Sequence, residues 1–372
     1  MQGATAVVHP VPQTVTIEVD DGTVRASTPE GYRSRLEQTR IDAVDEQLIG
    51  VFDRWLARSP DGWARADVSA FGSLLFRALL VGETWDFVLQ RCDELLDGQR
   101  VRLQLSFPAT PAGRHLAALP WEYLHVPDGT GMFLGTDERF LLSRTVSTDV
   151  PPTAPAVGPG MTVLLVVSQP TDEADVVVET IDSVLDRLQE GGSVTVERVP
   201  SPTPRALEEA LRDVSPDVLH FVGHGKHEAI DGEGRVALVD VAGTANWLSG
   251  QDVAQILKKS GADPRLVLLQ SCSGAKESAT ASFAGVAPQL VRNGPPCVIG
   301  MRYDVRPEVA STFAAQVYEA LLEGDSLDGA AQRGRGFLAD STSPQHDPRL
   351  IGLPVVYAHD RPAALDALVG GS

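Results

Sequence analysis

The sequence predicts an α/β protein built on a mostly parallel sheet with helices on both faces. Three observations predict it. Short apolar runs, rich in branched residues and bounded by Gly or Pro, recur at 162–167, 217–222, 266–269, 297–301 and 353–357. Such runs read as interior strands of a parallel sheet. Stretches of helical period separate them, and alternation of this kind gives a sheet covered on both sides. Two runs also end in a reactive residue near glycine: His224 between Gly223 and Gly225, and Cys272 two residues before Gly274. In open parallel sheets chemistry collects at the carboxyl ends of the strands.

The bounds agree. With 372 residues, 43% of them hydrophobic, the chain can build a sizeable core in one large or two ordinary domains. A net charge of −19 argues against nucleic acid or an anionic membrane as partner, since both need a basic surface. Three scattered cysteines, Cys92, Cys272 and Cys297, form no CxxC pair. They predict neither a disulfide scaffold nor a zinc ribbon, and a reducing cytoplasm. Met1-Gln2-Gly3-Ala4 opens no basic segment leading into an apolar run, so no signal peptide is expected. The longest apolar stretches are too short to span a bilayer.

In chain order, residues 14–19 alternate as a strand closed by a turn at 20–22. Apolar residues three and four apart between Ile41 and Leu56 predict a helix over 35–58. Helices follow at 67–80 and 84–96, then a half-buried alternating strand at 101–107. Residues 116–124 read as a Pro-started helical turn that buries Trp121 and Leu124. Residues 133–144 read as a closing hairpin, and the Pro/Gly-rich stretch 151–160 as a linker. Beyond it come strand 162–167, helix 174–188 and strand 194–199. Thr203-Pro204 starts the next helix. An outer hairpin at 236–239 precedes Ser249-Gly250-Gln251-Asp252, a capping box for the helix to Lys258. A helix over 281–291 kinked at Pro288, then helices from Pro307 and Leu327, complete the pattern.

A thiol is a useful nucleophile only as thiolate, and an imidazole in reach can take its proton and return one to a leaving amine. The two residues must be near in space, not in sequence, and adjacent strand ends would provide that. Gly225 lets the backbone approach a scissile carbonyl and offer its N–H. The Cys272 N–H is the second candidate donor to the oxyanion. Most cysteines and histidines are structural. Cys92 and Cys297 read as small hydrophobes, and His220, inside its strand, as a satisfied core histidine. His224 and Cys272 differ because both fall at strand exits, with glycines close by, as a pair.

The boxes His220-Phe221-Val222-Gly223-His224-Gly225 and Leu268-Leu269-Gln270-Ser271-Cys272 resemble the CHAT domains, a bacterial branch of caspase-like cysteine peptidases related to separases. The spacing, 272 − 224 = 48 residues, and Gln270 two before the cysteine also fit the caspase pattern. Residues 248–257, 298–301 and the tail 347–357 match further family elements, and Leu119-Pro120-Trp121-Glu122 resembles the family's Leu-Pro-Trp-Glu element. The resemblance covers about residues 100–360. It implies a caspase-like fold preceded by a degenerate caspase-like half: 1–150 regulatory or pseudo-catalytic, 151–160 linker, 161–372 catalytic. It implies a Cys–His endopeptidase with His224 as base and Cys272 as nucleophile. It implies no metal or organic cofactor, a specific protein substrate and an activating partner protein. It also implies a setting in antiphage defence or regulated cell death, where some relatives release a gasdermin-like effector.

Three residues are expected to line a substrate pocket: Gln270, Arg302 and Asp304. Neutral Gln270 stands where metacaspase relatives have an Asp for a basic P1 side chain. Arg302 would hold an acidic P1 or is an ordinary surface charge, and Asp304 is the acidic alternative. Two rivals are weighed. A caspase-like scaffold that keeps the dyad but works by binding would retain function in Cys272→Ala. A nucleotide-binding domain fails because no GxGxxG or GxxxxGK[ST] follows an expected strand.

Overall fold

The computed structural model describes residues 10–20, 22–39, 43–58, 63–80, 82–148, 160–227, 234–271, 285–303, 305–340 and 347–366. The chain divides into an amino-terminal unit, His9–Thr145 with Arg335–Pro354, and a carboxy-terminal unit, Val146–Gly334 with Val355–Ser372. The expected linker at 151–160 lies, except for Gly160, outside the described residues.

In the amino-terminal unit the alternation at 14–19 becomes β1 (Gln13–Asp20). It pairs antiparallel with β2 (Thr23–Ser27), which pairs with the two-residue β3 (Glu37–Gln38). Helices α1 (Ala43–Arg58), α2 (Arg65–Leu79) and α3 (Gly82–Asp93) precede β4 (Val101–Ser106), α4 (Pro111–Ala117) and β5 (Phe140–Val146). The strand order is β3-β2-β1-β4-β5, with β1, β4 and β5 parallel.

Three expectations fail here. The helix expected from residue 35 starts at Ala43, because Glu37 and Gln38 find strand partners on β2. The Glu37 carboxylate also accepts from the Glu83 N–H at 3.1 Å at the start of α3. Strand β4 is not half-buried: Arg102 and Gln104 are both 1% exposed, because β4 lies between β1 and β5. Residues 133–144 form no hairpin. β5 lies parallel to β4, with Leu103 opposite Leu142, while Phe133 bridges His125.

The Leu-Pro-Trp-Glu element is a 3-10 turn, Trp121–Tyr123, whose Trp121, like Leu124 after it, is fully buried, as its sequence predicts. The Trp121 indole N–H donates to the Leu116 carbonyl at 2.8 Å. Buried Glu122 pairs with buried Arg144 of β5, and Arg144 Nη2 donates to the Leu119 carbonyl at 2.8 Å.

The carboxy-terminal unit runs β6 (Met161–Val167), α5 (Glu179–Glu190), β7 (Val194–Pro200), α6 (Pro204–Val214) and β8 (Val218–Gly223). Next come β9 (Gly225–His227), β10 (Gly234–Val239), β11 (Ala245–Ser249), α7 (Gly250–Ser260) and β12 (Leu266–Ser271). It ends with α8 (Ala287–Asn293), β13 (Cys297–Met301), α9 (Pro307–Leu322), α10 (Leu327–Ala339) and β14 (Pro354–His359). Residues 335–339 of α10 belong to the amino-terminal unit. The main strands lie in the order β14-β13-β12-β8-β6-β7, and β7, β6, β8, β12 and β13 pair in parallel.

Alternation sorts the two faces. Val166, Leu219, Phe221, Val267 and Leu269 join Leu207, Leu211, Val253, Leu257 and Leu290 of α6, α7 and α8 in one apolar core. Each such side chain contributes roughly 1.5–3 kcal/mol of burial free energy. The other face carries His220, opposite Tyr318 of α9. The capping signals hold: Thr203 Oγ1 accepts from the Ala206 N–H at 3.2 Å, and Ser249 and Asp252 cap each other's backbone. The outer hairpin forms as part of a three-stranded antiparallel sheet, β11-β10-β9.

Two helices are shorter than their periodicity predicts. Residues 174–178 are not helical, and the β-branched run Val176-Val177-Val178 explains it, since such side chains crowd the preceding turn. Pro288 sits in the first turn of α8 and starts that helix rather than kinking it; residues 281–284 lie outside the described residues. Among the described residues no helix is long and apolar enough to cross a membrane.

Candidate active site

Strands β8 and β12 lie side by side and in parallel, with Val218 opposite Leu266, Phe221 opposite Leu269 and Gly223 opposite Ser271. In the sequence the next residue after Gly223 is His224 and the next after Ser271 is Cys272. Cys272 itself lies outside the described residues, as does the turn to Gly274. A side chain at Gly223 would meet the tip of the Phe221 ring at 2.9 Å, so a larger residue there would force that ring to shift.

His224 is 6% exposed, and its Nε2 lies 2.7 Å from the Ala174 carbonyl oxygen. A carbonyl only accepts, so Nε2 carries the proton and donates it. In the neutral ring Nδ1 is then the lone-pair nitrogen. Among the described residues Nδ1 makes no hydrogen bond. The segment that supplies the carbonyl, 174–178, is the stretch mistaken in the sequence for the first turn of a helix. The three valines were the signal against it. Nothing in the sequence marks Ala174 as the partner of a histidine 50 residues away.

Gly225 opens β9, an edge strand of the three-stranded sheet among the described residues. The Ala237 N–H donates to the His224 carbonyl at 3.0 Å, and Gly225 lies opposite Val236. In an antiparallel ladder that pattern makes Gly225–Val236 a non-hydrogen-bonded pair, so the Gly225 N–H points away from β10, toward the open edge. The next residue, Lys226, holds its ammonium 4.4 Å from the centroid of the Trp247 ring, which ties β9 across to β11.

Gln270 is 1% exposed, and its side-chain oxygen accepts from His220 Nε2 at 3.2 Å. His220 Nδ1 accepts from the Tyr318 hydroxyl at 2.8 Å. His220 is therefore the satisfied core histidine its position in the strand predicts. Burial pushes its pKa down to about 4, against the opposing effect of the Gln270 bond. Arg302 is 2% exposed, with Nε donating to the Tyr303 hydroxyl at 3.3 Å. The alternative that Arg302 is an ordinary surface charge is thus corrected: it is buried at the exit of β13. Asp304 lies outside the described residues. Cys297 is fully buried in β13; Cys92 is partly buried, and desolvation pushes its thiol up to about 11. No group of His, Cys, Asp and Glu that could hold a metal occurs among the described residues.

Compared with known proteins, the family model of the CHAT domain matches residues 80–351. No curated protein matches the sequence. Among solved structures the chain is similar to the complex of the pro- and mature domains of Porphyromonas gingivalis RgpB, with 12% identity and a TM-score of 0.48. That likeness covers 88% of this chain and 79% of that one. It is also similar to the Saccharomyces cerevisiae separase–securin complex, with 14% identity and a TM-score of 0.38. There it covers 86% of this chain and 22% of that one, so it spans about a fifth of the separase chain.

Proposed function

The chain belongs to the CHAT domain family, and from that premise we propose that it is a cytoplasmic cysteine endopeptidase with His224 and Cys272 as its dyad. One observation carries the reading. His224 gives its Nε2 proton to Ala174 and leaves Nδ1 as a base, at the exit of a strand whose in-register neighbour ends one residue before Cys272.

In the proposed reaction Nδ1 takes the Cys272 thiol proton and the thiolate attacks the scissile carbonyl. The tetrahedral oxyanion is held by the N–H groups of Gly225 and Cys272. Collapse breaks the C–N bond, and the imidazolium hands its proton to the departing amine. Water, deprotonated by Nδ1, then hydrolyses the thioester.

The substrate is a specific protein. Buried Arg302 supports an acidic P1 residue, with Gln270 and Asp304 as further pocket candidates. Release of a cell-killing or defence effector, under control of an activating protein, is the setting the family resemblance suggests.

The test is digestion of a diverse peptide pool by the purified protein beside Cys272→Ala, with products read by mass spectrometry. Cuts that share an acidic P1 and vanish in the variant are expected. Equal cuts in both would sink the reading. If neither cuts, iodoacetamide decides: His224-dependent alkylation of Cys272 indicates a latent enzyme, and alkylation indifferent to His224→Ala indicates a scaffold.

A further inference from the structure

We propose that Gln169 is a positioning residue for His224, acting through the Ala174 carbonyl; the inference rests on the dyad proposed above. Gln169 follows the end of β6, where the Ser168 N–H continues the sheet by donating to the Val222 carbonyl at 2.9 Å. Its side-chain oxygen accepts from the Val176 N–H at 2.6 Å, and its Nε2 donates to the Ala174 carbonyl at 3.3 Å. A primary amide offers an acceptor and a donor at once, so one side chain grips two backbone groups two residues apart. The same Ala174 carbonyl takes the His224 Nε2 proton at 2.7 Å.

The grip matters because residues 174–178 belong to no helix or strand, and no ladder fixes the direction of that carbonyl. The outer part of the loop is held separately. Thr171 donates through its N–H and its hydroxyl to Gly243, at 2.9 and 3.2 Å, and Asp172 accepts from the Ala245 N–H at 2.7 Å. Those bonds tie the loop to the β10–β11 turn; among the described residues the hydrogen bonds to the backbone of 174–176 come from Gln169 and from His224 itself. Without it the carbonyl is free to turn from His224. The ring then samples the tautomer with the proton on Nδ1, which cannot accept a thiol proton, and also rotates out of alignment.

Two variants separate positioning from space-filling. Gln169→Ala removes both bonds, together with the long one from Nε2 to Asp175 Oδ1 at 3.5 Å. Gln169→Glu keeps the shape and the bond from Val176 but cannot donate to Ala174. The first readout needs no turnover: the ring 15N shifts of His224 in the full chain at pH 7, assigned with His224→Gln. The wild type is expected to show protonation at Nε2 alone, and both variants a mixture with Nδ1. The second is iodoacetamide alkylation of Cys272, expected to slow about tenfold. With a cleaved peptide in hand, kcat should fall about 10- to 100-fold with KM changed less than about twofold, the size of effect that misplacing a catalytic group produces.

Unchanged 15N shifts and alkylation in both variants would overturn the proposal. Wild-type behaviour in Gln169→Glu alone would reduce Gln169 to a filler and also overturn it. If Gln169→Ala does not fold, Gln169→Glu alone decides. A changed tautomer with alkylation indifferent to His224 would leave the grip of Gln169 standing and sink the dyad instead.

Discussion

The two units use buried polar groups differently. In the amino-terminal unit Arg144 donates to Glu122 and to the carbonyls of Ala117 and Leu119. Arg335, fully buried, donates to the carbonyls of Pro354 and Leu142 at 3.0 and 2.8 Å. These guanidinium groups satisfy carbonyls at turns and between elements. In the carboxy-terminal unit His224 commits one ring nitrogen to Ala174 and, among the described residues, leaves the other uncommitted. A polar group spent in several directions fixes structure. One spent on one side only, at a strand exit, is poised for chemistry. The contrast can be broken at either end.

The largest effect is expected at His224. His224→Ala should lower the cleavage rate by about 10³-fold or more, within the range that a positioned acid–base group contributes. Stability should fall by no more than about 1.5 kcal/mol, one hydrogen bond's worth. Rate assays with urea titration of the same protein check both. A large loss of stability with it would make His224 structural and erase the contrast.

Arg144→Ala should do the reverse. It takes the Arg144 guanidinium away from buried Glu122, and breaking a buried ion pair costs about 3–5 kcal/mol. Alkylation of Cys272 per folded molecule should not change. A shift below about 1 kcal/mol in the urea midpoint analysis would mean the pair contributes little beyond packing.

What could be read from the sequence follows the same division. Both strand exits, the caps at Thr203 and Ser249 and the start of α9 at Pro307 were legible, because each rests on local pattern or a turn residue. The partners were not. Nothing near Glu122 in the sequence points to Arg144, and nothing near His224 points to Ala174, since both contacts are made by the folded chain alone. Strand β5 was misread as half of a hairpin because period cannot tell a parallel strand from an antiparallel one. Residues 174–178 were misread because helical spacing outweighed the valine run.

His220 gives the smallest effect and sharpens the comparison most, because it is a fully engaged group close to the candidate site. Gln270 takes its Nε2 proton in either charge state, whereas Tyr318 donates to Nδ1, a bond that requires the neutral ring. Burial, the main cause, pushes its pKa down to about 4, while the Gln270 bond works the other way. Burial also pushes the Tyr318 hydroxyl up, so it remains a donor. In the unfolded chain a histidine titrates near 6.5. Between about pH 6.5 and 4 the unfolded chain therefore binds a proton that the folded one refuses. The stability from neutral His220 is full above about 6.5 and is lost as pH falls through that window, by up to about 1.4 kcal/mol per pH unit. Urea midpoints at pH 7, 6 and 5 should show this slope in the wild type. His220→Phe should be less stable at pH 7, because the bonds from the ring to Gln270 and Tyr318 are lost, but should lack that part of the slope. Parallel slopes in the two proteins would assign the acid sensitivity elsewhere. A flatter slope in His220→Phe, with its Cys272 alkylation at pH 7 unchanged, would place His220 with Arg144 among the groups that build the fold.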